Sequence, residues 1–182
     1  MPQSARRLVA TYALAAVGCA AAVLGPTAAA EPEQANDEPT PCWGDQIAVS
    51  ASPAQGAVGH RSLNLTFVLA SGGAPCTLTG YPAVDSGAGG PLTHAQPTLR
   101  GYMGGLPGSV SAPPTVTLSL SQQAQAIVEG MAIDGAGNPC PSYTDLLVNP
   151  PNTTEVFTVP AAIGACQLQV HPVTAAPPEA SA

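Results

Sequence analysis

Lysine is absent from all 182 residues, and the only fixed cations are four arginines set against eleven acids, a formal net charge of −7. With so little positive charge no basic patch can neutralise a phosphate backbone, which excludes nucleic acid as a partner. Charged residues of either sign make up 8% of the chain, whereas 45% is hydrophobic. A disordered chain has the reverse balance, little apolar surface to bury and much charge to keep solvated, so simple disorder is excluded too.

The motifs of common catalytic and nucleotide sites are also missing. No serine has glycines at the G-x-S-x-G spacing of a nucleophile elbow. Gly87-Ala88-Gly89-Gly90 lacks the third spaced glycine of a dinucleotide loop and has no P-loop lysine after it. Asp134-Gly135-Ala136-Gly137-Asn138 resembles half a calcium loop, without the further spaced acids or the closing Glu. Asp85 and Asp134 are the acids best placed for hydrolysis, yet both adjoin Gly-rich turns, where Asp bonds its own backbone. His60, His94 and His171 lie far apart in sequence, and each reads as a solvated surface residue rather than a base or ligand, with His171 on the outward side of the last strand. No catalytic residue, cofactor or metal site is expected.

What is present begins with an address. Arg6 and Arg7 precede Leu8 to Leu24, 17 uncharged residues rich in Ala, Val and Leu, which Gly25 and Pro26 break. Ala28-Ala29-Ala30 supplies the small side chains a signal peptidase accepts, so residues 1–30 read as a signal peptide cleaved before Glu31. The run is short for a membrane span and no basic stop-transfer flank follows it. Ala16-Val17-Gly18-Cys19 is a loose lipobox, and the alternative is a lipoprotein acylated at Cys19, the one case in which the membrane becomes a partner. Either route leads out of the cytoplasm: to a secreted or extracytoplasmic envelope location, or to a lipid anchor on the outer face of the plasma membrane.

Residues 31–41 form an acidic, Pro-rich linker and residues 174–182 an Ala/Pro-rich tail, both read as disordered. Between them, residues 42–173 make one domain holding every mature cysteine. Four cysteines in an oxidising compartment favour two disulfides, and the absence of any C-x-x-C pair disfavours zinc. Three connectivities exist. Cys42 with Cys76 and Cys140 with Cys166 is the expected one, because each closes a loop of about 25 to 35 residues that a sheet edge can span.

Alternation points to strands. Leu63, Leu65, Phe67 and Leu69 alternate with Asn64, Thr66 and Val68, and the pattern returns at Val116 to Leu120 and at Cys166 to His171. Ile47 to Ala51, Thr77 to Thr79, Ala83 to Asp85, Ala124 to Ile133, Tyr143 to Asn149 and Glu155 to Val159 are further candidates, with Pro or Gly in nearly every gap. The segment after Gln122 is expected to pair in a hairpin with the strand before it. Some nine short strands without a crossover helix imply an all-β fold, an immunoglobulin-like antiparallel β-sandwich with two disulfides. Trp43, beside Cys42, and Tyr81-Pro82 are expected to pack against a disulfide. Ser86 to Ser111, with seven Gly, reads as one long loop.

Several of these residues carry a family resemblance. Cys42 opening the domain, Gly59 before an alternating strand, Cys76-Thr77-Leu78-Thr79-Gly80-Tyr81-Pro82, Cys140-Pro141, Pro150-Pro151 and Cys166-Gln167-Leu168 resemble domain-of-unknown-function family 4232. That family comprises exported or lipid-anchored actinobacterial proteins, and a mycobacterial source is expected. The chain departs from its pattern at Ser121-Gln122-Gln123, where the family has a Pro-Gly turn. The resemblance implies an immunoglobulin-like export domain and brings no activity or catalytic residues with it.

The functional expectation is an exported cell-envelope protein that is not an enzyme but a binding or interaction module. Its candidate binding loop carries Arg100, Tyr102, Met103 and Leu106, with apolar contact area from the last three and a guanidinium to pair with an anionic group. Its expected partner is an envelope or extracellular protein or glycan. The alternative is a hydrolase acting on envelope polymers, with a site assembled from dispersed Asp, Ser and His.

Overall fold

A computed structural model describes residues 38–70 and 72–178. The expected signal peptide, the Cys19 lipobox, most of the linker and the last four residues lie outside them. A 3-10 turn, Gly44–Gln46, leads into twelve strands: β1 Ile47–Ala51, β2 Gln55–Ala57, β3 His60–Leu69, β4 Cys76–Thr79, β5 Ala83–Ser86, β6 Gln96–Pro97, β7 Thr115–Leu118, β8 Ala124–Met131, β9 Ser142–Asn149, β10 Phe157–Gly164, β11 Cys166–Val170 and β12 Thr174–Ala175. The period of two decides which side chains face inward: in β3 Leu63, Leu65 and Phe67 are buried, and in β8 Ala124, Ala126 and Val128.

The strands form three ladders around one core. The largest runs β1-β3-β8-β11-β6, with β2 also on β3 and β12 also on β8; the others are β10-β9-β5 and β4-β7. Only β6 against β11 is parallel; the other ladders are antiparallel. Phe67, Val128 and Leu168 of the large sheet join Val84, Val148 and Val159 of the second ladder and Leu78 and Leu118 of the third in a single buried cluster. Removing such side chains from water supplies the main drive to fold, about 1.5 to 3 kcal/mol for each large one. Disulfides Cys42–Cys76 and Cys140–Cys166 tie the segment before β1 to β4 and the segment before β9 to β11.

Four expectations about the strands and loops need correction. The strand Val116 to Leu120 does not form a hairpin with the one after it. Ser119 and Gln122 close a tight turn through reciprocal backbone hydrogen bonds, after which the chain changes sheet. Four-residue β7 matches four-residue β4, whereas β8 completes an eight-pair ladder along β3 that a partner as short as β7 cannot supply. Thr174 and Ala175 are not tail but pair with Gln125 and Ala124. Trp43 does not pack on the disulfide: its extended backbone turns it away from inward-facing Cys42, and it is 72% exposed.

The fourth concerns Ser86 to Ser111, which is structured along much of its length. Asp145 accepts the backbone N–H of Ala88 at 2.8 Å, His94 bridges to Asp85, and β6 pairs with Gln169 and Val170. A second bridge, Arg100 to Gly105, closes a small turn at Gly101 to Gly104. Composition suggested a loop because Gly and Pro lack strand propensity, but partners from β9 and β11 satisfy the segment's backbone groups.

Candidate functional site

On the outer face of the large sheet, where alternation would place solvated side chains, the Gly101–Gly104 turn lies flat and covers β8. The Gly101 N–H donates to the Gly104 carbonyl at 2.9 Å, which puts Tyr102 and Met103 at the tip. Their backbone N–H groups point back at the sheet and both end on one carboxylate. Tyr102 donates to Glu129 Oε1 at 2.8 Å and Met103 to Glu129 Oε2 at 2.5 Å. Successive N–H groups at a turn make a concavity for an anion. Here the anion is a β8 side chain only 3% exposed.

Glycine makes the close approach geometrically feasible. A Cβ on Gly101 would fall on the Glu129 carboxylate, 2.5 Å from Cδ, and within 2.8 Å of His171 Cε1. A Cβ on Gly104 would meet the Ile127 side chain at 2.5 Å. A larger residue at either position would lift the turn and separate the amides from their acceptor.

His171 lies beneath the same turn and is 1% exposed, so it is not the solvated residue that alternation implied. It follows directly on β11, and the glycine turn roofs it, with Gly101 and Gly104 packed against the ring. The ring's Nδ1 lies 3.0 Å from the Thr98 carbonyl oxygen and 3.3 Å from Thr98 Oγ1. Nε2 faces Glu129 Oε2 at 3.6 Å and makes no hydrogen bond.

Of the four residues proposed for the binding loop, the structure brings all into this segment but gives them different tasks. Tyr102 is 59% exposed, with its ring stacked on His60 at a centroid distance of 4.2 Å and an interplanar angle of 12°. Met103 is half-buried. Leu106 is 7% exposed, which corrects its expected role as contact area: it fastens the loop to the body. Arg100 turns one guanidinium nitrogen onto the carbonyls of Pro107, Gly108 and Val110, so one of its two terminal NH2 groups holds its own loop.

A groove of about 280 Å³ opens beside the turn. It is lined by His60, Arg100, Tyr102, Glu129, Met131, Gln167 and Gln169. Gln167 has φ 52, in the left-handed region, and the β11–β8 register shifts between Cys166 and Gln169. This is a bulge, and bulges redirect side chains at the edges of functional surfaces.

Neither Glu129 nor the Gln pair was singled out from sequence. The readable signal for Glu129 was an acid inside Ala126-Ile127-Val128-Glu129-Gly130-Met131, where an otherwise uncharged strand leaves a carboxylate no neighbouring partner. Asp134 does use its own turn, accepting from the N–H groups of Ala136 at 2.9 Å and Asn138 at 2.8 Å. Those bonds, the Asn138 backbone N–H first, hold its carboxyl below the ordinary value. Asp85 meets His94 Nδ1 at 2.6 Å on an exposed surface. Among the described residues no hydroxyl is bonded to that imidazole.

Among the described residues, no group of three or more His, Cys, Asp or Glu side chains is placed to hold a metal ion. No curated protein and no solved structure matches the chain. A family model does match, over residues 42–176, and covers both disulfides, the latched turn and β12. On that match the chain belongs to the family described as Domain of unknown function (DUF4232).

Proposed function

We propose that this chain is an exported cell-envelope protein whose immunoglobulin-like sandwich serves as a non-enzymatic binding module, with the Gly101–Gly104 turn as its recognition element. The observation that carries the reading is the buried Glu129 carboxylate, which spends both oxygens on the Tyr102 and Met103 amides. A linker has no use for a buried charge, which is costly to desolvate unless it fixes something in place. What it fixes is an exposed aromatic ring already ordered before a partner arrives, which lowers the entropic cost of binding.

The two disulfides support a location outside the reducing cytoplasm. No helix among the described residues is long and apolar enough to cross a membrane. The mature protein is then secreted or held in the envelope, with acylation at Cys19 as the alternative anchor. Its partner is an envelope or extracellular protein or glycan. Retention of the purified domain on an isolated cell-envelope fraction tests the reading. Wild type should be retained and Tyr102→Ala released at least tenfold more readily; equal retention of the two discards the recognition element.

A further inference from the structure

We infer that the β2–β3 hairpin tip, Val58-Gly59, with the exposed side chains beside it, enters the surface of an anionic phospholipid bilayer. This goes beyond the reading of the Gly101–Gly104 turn, because Val58 and Ile133 do not line its groove.

Val58 is unsuited to its place in the fold. Ala57 pairs with His60, so Val58 and Gly59 are the whole loop, and both have positive φ, 45 and 80. Such two-residue turns favour Asn-Gly or Gly-Gly, whereas a β-branched residue in the left-handed region is strained. Burial does not offset the strain, since Val58 is 84% exposed. Asn would serve the hairpin as well or better, so the isopropyl group at the tip points to a contact outside the chain.

The tip has apolar neighbours. The Ala132 N–H donates to the Gly59 carbonyl at 2.7 Å, His60 pairs with Met131, and the Tyr102 ring stacks on His60. These contacts bring Val58, Tyr102, Met131 and Ile133 to one end of the large sheet, four of the eight large apolar residues exposed among the described ones. Arg61 and Arg100, the only fixed cations among the described residues, are at the same end. Arg61 pairs with Gly130, next to Met131, and Arg100 lines the groove with His60, Tyr102 and Met131. Neither guanidinium is ion-paired with a described carboxylate. Glu129 and Asp134, the acids flanking Met131 and Ile133 in sequence, are bonded to backbone N–H groups.

An apolar tip flanked by cations matches an anionic lipid surface. There the apolar side chains reach the acyl boundary, the arginines meet the phosphates and a tyrosine sits at headgroup level. The formal net charge of −7 does not oppose this, because charges farther away than the Debye length, about 8 Å in physiological salt, are largely screened. A protein partner or a second copy fits less well: a specific interface takes roughly 20 to 30 residues a side, far more than four apolar side chains around a two-residue tip. β2, three residues long, is too short an edge for strand addition.

The probe is vesicles of phosphatidylcholine and phosphatidylglycerol in equal parts, read by co-sedimentation with the disulfide-intact protein starting at Glu31, the form expected after export. Wild type should bind these vesicles and bind pure phosphatidylcholine about tenfold less. Val58→Asn and Ile133→Ser should each weaken binding about tenfold. Val58→Asn should do so with a melting temperature equal to or above that of wild type, which a purely structural role for Val58 would not give. Trp43→Ala, an exposed aromatic just before β1 at the Leu69 end of β3, should bind as wild type does. No binding to the mixed vesicles, equal binding to pure phosphatidylcholine, or full binding by Val58→Asn overturns the assignment. A lower melting temperature for Val58→Asn shows that the hairpin requires valine and removes the ground for the inference. A dimer that Val58→Asn abolishes, without vesicle binding, gives the tip to a second copy instead.

Discussion

Glu129 Oε1 accepts the backbone N–H of Tyr102 at 2.8 Å, joining the middle of the central strand β8 to the tip of a glycine turn 27 residues earlier in sequence. Because Oε2 takes the next amide, the pair of bonds behaves as a clasp. Glu129→Gln keeps the shape but replaces one acceptor with an NH2 that must face an N–H whichever way the amide turns. The exchange rates of the Tyr102 and Met103 amides should rise about tenfold to a hundredfold, a local loss of roughly 1 to 3 kcal/mol. Hydrogen exchange by NMR reads this directly, and the Val128 amide in the core serves as the unaffected control. Unchanged protection at Tyr102 and Met103 refutes the clasp.

Two glycines of the loop separate a crowded position from an open one. In Gly101→Ala the new methyl falls on the buried Glu129 carboxylate, so the variant should lose about 1 to 3 kcal/mol and release the turn. Gly108→Ala meets nothing within 4 Å and should stay within about 0.5 kcal/mol of wild type. Urea denaturation of the two variants side by side gives the comparison, and equal midpoints contradict it.

Removing the second disulfide tests stability and site together. Cys140 and Cys166 close a separation of 26 residues, and their joint replacement by Ser should cost roughly 3 to 4 kcal/mol in the chain-entropy model. Cys166 directly precedes the Gln167 bulge, so the Gln167 and Gln169 amide resonances should shift as well. A variant that is destabilised with those resonances unmoved separates the crosslink from the groove.

Asp134 sets an acid-side dependence. Its carboxyl lies below the ordinary value, first because of the Asn138 backbone N–H and then the Asn138 side-chain amide. A depressed folded value means stability contributed above the unfolded value, about 4, and lost as pH falls through the folded one. Asp134→Ala should therefore lower the melting temperature slightly at pH 7, with a deficit that shrinks as pH falls below about 4. The site is exposed, so the effect is small, and a larger deficit in acid than at neutrality reverses the argument.

Much of the architecture was legible because strand alternation is local. The nine segments read from the sequence correspond to strands within a few residues, and the disulfide pairing followed from loop lengths. The shortest strands, β2, β6 and β12, carried no readable period. They form only where a longer neighbour offers them a ladder. The β7–β8 turn misled for the same reason: a tight turn signals reversal, but pairing depends on which distant strand matches in length.

Scarcity of charge, alternating strands, the domain's four cysteines and the Gly-rich stretch are all legible in the amino-acid order. Each is a property of a residue and its near neighbours. Folding adds what no local pattern shows: the outer face over Glu129 and His171 is covered, Leu106 anchors while Tyr102 is presented, and Gln167 and Gln169 line the groove beside the turn. Burial and hydrogen-bond partners depend on contacts between distant residues, such as Thr98 and His171, 73 apart, which local periodicity does not encode.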